Sequence, residues 1–301
     1  MAADESYAYF LGYESAELAD ALFSLIPAPY EATASYVKGQ AAAPWRILDA
    51  SSQIEDYDEE TSLSLVDKGI HVVDPGAAPE DEYALADWVR SRVADALDAV
   101  AVPVILGGEG TVTLWGVQAM LAKSDELSIL HIDANADLNE PGDDGEDHHT
   151  VMRRILELNA KNLSICQVGI RALSHSAYDR IADDTQPVET FFMADIERDA
   201  AAGWQEEVIN ELRSPVYLSV DLTGFDPAVI PGVSNPEPGG LGWWQVLRLI
   251  QKVAARRRIA AIDITELCPR EGLVRSDYAA ARLVYKTMNY IYRGGKMLPK
   301  P

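Results

Sequence analysis

The stretch 131-HIDANADL-138 places two carboxylates, Asp133 and Asp137, at the end of a run rich in Ile and Leu. Aspartates spaced in this way at a strand end present oxygen atoms to a cation, which hard metal ions prefer as ligands. Between them lies Asn135, whose neutral amide is a poor metal ligand. The spacing therefore predicts a cation-centred site, and Asn135 raises the question of whether that site is complete.

Four further segments carry polar residues directly after, or closely following, predicted strands. They are 107-GGEGT-111, 147-DHHTVMRR-154, 221-DLTGFDPAVIPGVSNPEPGGL-241 and 265-TELCP-269. Because the carboxyl ends of parallel strands meet at one edge of a sheet, we expect these segments to lie close together. The sequence thus predicts one acidic site assembled from several loops.

Short apolar runs alternate with amphipathic segments along the chain. The predicted strands are 21–26, 70–73, 102–106, 127–133, 163–170, 190–193, 215–221 and 259–264. The predicted helices are 81–99, 111–122, 148–158, 175–182, 200–211, 243–256 and 276–292. Continuous apolar strands alternating with helices indicate a parallel sheet wrapped by helices. No linker interrupts the pattern, so we predict one domain over 1–301, with 1–19 as an N-terminal extension.

Composition narrows the classes of partner. The net charge of −23 and the pI near 4.5 argue against nucleic acid or an anionic membrane, since both would be repelled. The N-terminus lacks a basic, apolar signal sequence, and no apolar window is long enough to span a membrane. Cys166 and Cys268 lie in apolar runs, as expected of reduced core thiols. We therefore predict a cytoplasmic protein.

In this order and spacing, the segments resemble the ureohydrolase family of arginases and agmatinases, and most of all its agmatinase-type members. The family pattern runs GGDHS, DAHxD, HG, SxDxDxxDP with a PEPGG loop, and a late Glu before Pro. The segments 28–60 and 168-VGIRALS-174 extend the resemblance. It implies a three-layer α/β/α fold with an eight-stranded, mostly parallel sheet. It also implies two bridged Mn²⁺ ions, whose shared hydroxide attacks a guanidinium carbon and releases urea, and assembly into a homo-oligomer, a trimer or hexamer.

Carried over residue by residue, the resemblance gives an incomplete set of site residues. It implies metal ligands at Asp133, Asp137 and Asp221, catalytic roles for His148 and Asp137, and substrate contacts at Glu266 and Asp226. Three family ligands are replaced, two histidines by Gly110 and Asn135 and one aspartate by Thr223. One metal site would keep three carboxylates and the other only two.

The remaining carboxylates limit the chemistry. Three that converge in a dry cleft need a bound cation, a shared proton, or a Lys or Arg turned into the site. Because the surviving ligands are oxygens, we expect at most one divalent cation, Mg²⁺, Mn²⁺ or Ca²⁺, or none. A single cation acidifies water less than a bridging pair. We therefore expect urea release to be severely reduced or absent.

Three functional hypotheses stay open. The first is a weak metal-dependent hydrolase of linear amidines. The second is a non-catalytic relative that binds a cationic guanidino or polyamine-like small molecule, or that partners another subunit. The third is deacetylase-like single-metal chemistry of the wider superfamily. Simpler roles also remain open for single residues: a structural hydrogen bond for Glu109, a backbone-bonded loop residue at His148, a surface position for His149 and a buried, neutral ring for His131.

Overall fold

The computed structural model describes residues 9–142, 147–198 and 203–299. The strands of the main sheet are β1 Phe23–Ala28, β2 Ile70–Val72, β3 Val102–Gly107, β4 Glu126–Ile132, β5 Asn162–Ile170, β6 Val188–Phe192, β7 Val216–Asp221 and β8 Ile259–Thr265. The α-helices are α1 Ala43–Ser51, α2 Glu82–Asp98, α3 Val112–Leu121, α4 Val151–Leu156, α5 His175–Ile181, α6 Met193–Arg198, α7 Trp204–Glu211, α8 Trp243–Arg256 and α9 Val274–Gly294.

The eight strands form one parallel sheet in the order β6-β5-β4-β7-β8-β3-β1-β2. The chain runs outward on one side through β1 and β2 and on the other through β4 to β6, while β7 and β8 fill the centre. Open α/β sheets bind ligands where the direction of winding changes. The carboxyl ends of β4, β7, β8 and β3 are adjacent there, and each precedes a segment that the sequence singles out.

Two apolar cores lie on opposite faces of the sheet, which makes three layers. Helices α1, α6, α7, α8 and α9 cover one face, and α2, α3, α4 and α5 cover the other. Strands β3 and β7 are buried along their whole length, as expected of strands covered on both sides. The predicted three-layer α/β/α fold with an eight-stranded parallel sheet is confirmed.

All eight predicted strands and seven predicted helices correspond to elements of the structure, with shifted ends. Two short helices, α1 and α6, are additional to the prediction. The predicted helix 148–158 divides into a 3₁₀ turn, His148–Thr150, and α4. The predicted helix 200–211 begins outside the described residues, and the described helix α7 starts at Trp204. Residues 1–8 of the predicted N-terminal extension also lie outside the described residues. The assignment of residues 1–301 to a single domain stays a prediction.

Both cysteines, Cys166 and Cys268, are buried and free of disulfide bonds, as predicted for core thiols. Within the described ranges, no helix combines the length and the apolar character that crossing a bilayer demands.

Candidate functional site

A small cavity lies at the carboxyl ends of the central strands. It measures about 10 Å³, which is room for about one water molecule. Its walls consist of Gly110, Asp133, Asn135, Asp137, His148, His149, Asp221, Thr223, Ser234, Asn235 and Glu266. Thus the predicted metal positions, the three replaced positions, His148 and Glu266 come together. Neither lysine nor arginine is among these described wall residues, so the expected Lys or Arg turned into the site is not found there.

Asp133 follows β4 and is held by a histidine ring and by a backbone N–H group. His131 Nε2 lies 3.1 Å from Asp133 Oδ2, and the backbone N–H of Asn135 donates to Oδ1 at 3.0 Å. Burial alone would raise the pKa of Asp133, but the contact with His131 and the other donors lower it. Gln167 donates from Nε2 to the other ring nitrogen of His131 at 3.1 Å. His131 is buried, as predicted, and orients Asp133.

Thr223 joins Asp133 to Asp221. Its hydroxyl oxygen lies 2.6 Å from Asp133 Oδ1 and 2.5 Å from Asp221 Oδ1. A hydroxyl has one proton, so only one of these contacts can use it, and the other requires a proton on a carboxyl group. Burial and the charge of Asp133 raise the pKa of Asp221 well above its ordinary value. The Thr223 hydroxyl thus bridges the two carboxyl groups.

Asp137 and His149 form the opposite wall. Asp137 Oδ1 lies 3.7 Å from His149 Nδ1. Backbone hydrogen bonds from Asn139 N to His149 O and from Arg153 N to Asp137 O tie the two segments together. Burial and the charge of Asp133 raise the pKa of Asp137 to about 6. Burial would lower the pKa of His149, but Asp137 raises it to about 9. The structure thus brings His149 into the site, where the sequence predicted a surface residue.

Glu266 closes the floor at the end of β8. Its backbone is left-handed, with φ of 64°, and that of Asp137 likewise, with φ of 52°. A non-glycine residue in this region costs free energy and is often found at functional sites. Glu266 Oε1 accepts from Gly110 N at 2.7 Å, and Oε2 accepts from Gln40 Nε2 at 3.3 Å. Burial raises the pKa of Glu266 to about 7, against the lowering effect of these bonds.

His148 belongs to a second group that includes residues before α1. Thr33 Oγ1 lies 2.9 Å from His148 Nδ1 and 2.8 Å from Glu109 Oε1. Glu109 is fully buried and also accepts from the backbone N–H groups of Ala32 and Thr33. Glycine is required at Gly108, because a Cβ there would lie 1.9 Å from the carbonyl oxygen of Tyr30. Glu109 therefore holds the segment before α1 over the site, and its predicted structural hydrogen bond is confirmed.

Asp226 does not line the cavity. Its carboxylate accepts from the backbone N–H groups of Ala228, Gly239 and Gly240 at 2.8, 2.8 and 3.1 Å. It thereby holds the PEPGG loop against the turn after β7. Substrate contact by Asp226 stays a prediction, and in this structure its oxygens serve the loop.

The donor set does not fit two metal ions. Gly110 has no side chain, Asn135 offers an amide, and the hydroxyl of Thr223 lies between the two carboxylates that a metal pair would share. Among the described residues, one group has imidazole or carboxylate atoms that all lie within 4.8 Å of one another, namely His131, Asp133 and Asp137. Asp221 is outside this group and is connected to it through Thr223. Within the described ranges, His131, Asp133 and Asp137 form one candidate cation site of three ligands.

Comparison with known proteins defines the family. The arginase family profile matches residues 21–289. The chain is 37% identical to the N(1)-aminopropylagmatine ureohydrolase of Synechocystis sp., over 90% of both chains. It is 31% identical to the enzyme of that name from Thermus thermophilus, over 91% of this chain and 92% of the relative. The crystal structure of the agmatine ureohydrolase of Thermoplasma volcanium superimposes with a TM-score of 0.83 at 27% identity, over 93% of both chains.

The fold and the loop-built site define a ureohydrolase-type α/β protein. The chain belongs to the arginase family and is of the agmatinase type within it.

Several residues of the site were not apparent from the sequence. Thr33, Gln40 and Ser234 have no recognisable spacing to the acids, and only the folding of distant segments brings them there. His149 carried a weak signal, since a second imidazole follows His148 where the family pattern has glycine. His131 carried another, because it alternates with Asp133 along the strand and both are polar residues in an apolar run.

Proposed function

We propose that this chain is an agmatinase-type relative in which two-metal, urea-releasing hydrolysis of a guanidino C–N bond is severely reduced or lost. Its acidic residues still bind a cationic small molecule with a guanidino or polyamine-like end, and because the cavity has room for about one water molecule, the loops around it must move apart to admit that end. The position of the Thr223 hydroxyl between Asp133 and Asp221 carries the proposal. This hydroxyl is hydrogen-bonded to the two carboxyl groups. A binuclear metal centre would need both of those groups free to bind the metal ions.

The retained acids support a cationic ligand. Glu266, Asp137 and Asp221 converge on the cavity with raised pKa values. A guanidinium or ammonium group would stabilise their ionised forms. The named relatives are ureohydrolases of N(1)-aminopropylagmatine, which is consistent with a polyamine-like cation. Glu266 is proposed to contact the guanidino group. His148 and Asp137 are the groups available for proton transfer, and a homo-oligomeric cytoplasmic protein remains part of the proposal.

Metal analysis combined with a urea-release assay tests this function. We expect the purified protein to bind fewer than two Mn²⁺ per chain and to release little or no urea from agmatine, arginine or aminopropylagmatine. The matched variant is Gly110→His/Asn135→His/Thr223→Asp, which we expect to bind two Mn²⁺. The backbone at Gly110 accommodates a Cβ, which would lie 3.8 Å from Glu266 Oε1. Tight binding of two Mn²⁺ by the unaltered protein would contradict the proposal.

A second candidate function is slow hydrolysis through one metal. It is favoured by the close approach of His131, Asp133 and Asp137, of which the two carboxylates suit one hard cation. It predicts urea formation that depends on added Mg²⁺, Mn²⁺ or Ca²⁺ and that disappears in Asp137→Asn. Urea release unaffected by chelator would exclude it.

A further inference from the structure

The hydroxyl of Thr33 is the centre of a three-way contact. It lies 2.8 Å from Glu109 Oε1, 2.9 Å from His148 Nδ1 and 3.1 Å from the backbone nitrogen of His148. A hydroxyl donates one hydrogen bond and accepts two. The direction in which Thr33 donates therefore decides which ring nitrogen of His148 carries the proton.

Glu109 fixes that direction. Its Oε2 accepts from the backbone N–H groups of Ala32 and Thr33 at 2.8 and 2.9 Å. Its Oε1 faces the hydroxyls of Thr33 and Thr111 at 2.8 and 3.1 Å. The carboxylate of Glu109 thus accepts from four donors, two backbone N–H groups and two hydroxyl groups. The hydroxyl proton of Thr33 is then donated to Glu109, and the two lone pairs of the Thr33 oxygen are left to accept hydrogen bonds.

The two groups that donate to Thr33 are both from His148. One is its backbone N–H, and the other must be Nδ1–H, because a hydroxyl that has given its proton to Glu109 has none for an unprotonated nitrogen. We propose that Thr33 and Glu109 are positioning residues that hold His148 in the Nδ1–H tautomer. The unprotonated Nε2 lies on the side of the ring away from Thr33, in a side chain that lines the cavity.

This tautomer gives the cavity an uncharged acceptor beside its carboxylates. An unprotonated Nε2 accepts a hydrogen bond from the N–H group of a guanidinium or ammonium ligand, whereas the opposite tautomer would direct an N–H donor at it. This consequence for ligand binding rests on the proposed function. The tautomer itself does not, because it follows from contacts within the chain.

Nitrogen-15 NMR of the imidazole rings, recorded without ligand at a pH where His148 is neutral, tests the tautomer directly. We expect Nδ1–H in the unaltered protein. In Glu109→Gln, the amide oxygen takes the two backbone N–H groups and the amide nitrogen donates to Thr33. The hydroxyl must then donate to His148, so we expect Nε2–H. Thr33→Val removes the acceptor for Nδ1–H, and we expect Nε2–H there too.

Two conservative variants serve as controls. Thr33→Ser keeps the hydroxyl, and Thr111→Val removes a hydroxyl that contacts Glu109 but not His148. We expect both to keep Nδ1–H. An Nε2–H ring in the unaltered protein would overturn the proposal even if no variant folds, and so would Nδ1–H in a folded Glu109→Gln protein.

Calorimetry with agmatine separates the tautomer from the ligand role. We expect Thr33→Val to bind agmatine about tenfold more weakly than Thr33→Ser, as the loss of one hydrogen bond to a charged group implies. If the unaltered protein binds no agmatine, the proposed function fails while the NMR result stands. Equal affinities of the two variants, with the expected tautomers, would overturn the ligand role alone.

Discussion

At position 223, a threonine hydroxyl does part of what a metal ion does for paired carboxylates. Asp133 and Asp221 are both buried, and two ionised carboxylates so close together repel each other strongly. Thr223 separates them with a hydrogen-bonded hydroxyl, and its backbone N–H also donates to Asp221 at 2.7 Å. Gly224 allows this turn to approach, because a Cβ there would lie 3.0 Å from the backbone nitrogen of Asp133. Thr223 thereby gives the carboxylate pair a metal-free arrangement.

Thr223→Val should therefore destabilise the protein. The variant keeps the shape of the side chain but leaves two buried carboxyl groups without their shared partner, which costs about 1–3 kcal/mol. The measurement is the free energy of unfolding in urea, without added metal. Thr287→Val is the matched control, since the Thr287 hydroxyl is buried and has no hydrogen-bond partner in the part of the chain that the structure describes. Its removal should be neutral or stabilising. Equal effects of the two changes would show that the Thr223 hydroxyl contributes nothing specific.

The acids of this site could be predicted from the sequence, but their partners could not. Asp133 and Glu266 each follow a strand and Asp221 ends one, so the topology of a parallel sheet brings them to one edge. The contacts from Thr33 to Glu109 and from Gln40 to Glu266 join residues 76 and 226 positions apart. Such contacts depend on the packing of the segment before α1, and no periodicity in the sequence encodes it.

The same contrast holds for elements. Strands such as β3 and β7 are continuous apolar runs flanked by turn residues, and burial on both faces of a parallel sheet produces that pattern. Helix α1 was missed because it has only nine residues, too few for a clear amphipathic period, although Pro44 in its first turn is a start signal. Helix α6 was missed because it follows β6 without a break, so its first residue extended the predicted strand.

Arg171 organises three elements at the site edge. Its guanidinium donates to the carbonyl oxygens of Thr223, Glu237 and Pro238 at 2.8, 2.7 and 3.1 Å. It also donates to Gly169 O at the end of β5 at 3.1 Å. The fixed fork of an arginine suits several carbonyls at once, which a lysine cannot match. The side chain thus links β5, the turn after β7 and the PEPGG loop.

Arg171→Met should loosen that link. We expect a loss of about 2–3 kcal/mol in the free energy of unfolding, because these four carbonyl oxygens lose their donor, two of them on the buried residues Gly169 and Thr223. Hydrogen exchange should become faster at the amides of Gly239 and Gly240, which bond to Asp226. Arg213→Met, which replaces an exposed arginine, should change stability by less than about 0.5 kcal/mol. Unchanged exchange at the two glycines would contradict the assigned role.

On the scale of the molecule, one buried lysine connects the segment after α1 to the C-terminal helix. Lys286 of α9 lies 2.8, 3.0 and 2.9 Å from carboxylate oxygens of Asp58, Glu59 and Glu60. Tyr290 donates to Glu60 at 2.7 Å. In a chain with a net charge of −23, three acids at one point would repel each other. Lys286 contacts all three, while Arg282 lies 3.1 Å from Glu59 and 3.8 Å from Asp58, and Arg248 lies 2.9 Å from Glu60.

The pKa shifts of this cluster fix its pH dependence. Burial would raise the pKa values of Asp58 and Glu60, but bonds to Lys286 lower both. The two ionised carboxylates therefore contribute fully to the stability of the fold above their ordinary pKa values of 3.8 and 4.5. This contribution is lost as the pH falls through their lowered pKa values. Burial would lower the pKa of Lys286, but Asp58 raises it. The contribution of Lys286 to the stability of the fold is thus complete below its ordinary pKa of 10.5 and is lost as the pH rises through its raised pKa.

Lys286→Met should consequently destabilise the protein most at pH values between these two limits, where the carboxylates and the lysine are all charged. We expect a loss of about 3–5 kcal/mol near neutral pH, because Asp58 loses its close, buried ion pair and keeps Arg282 at 3.8 Å. Below pH 3.8 the loss should shrink as the carboxyl groups take up protons. Urea unfolding at neutral and acidic pH measures both values. Lys252→Met removes an exposed partner of Glu206 and should cost about 0–1 kcal/mol. A loss in Lys286→Met that stays constant with pH would mean that packing, and not the ion cluster, holds this segment to α9.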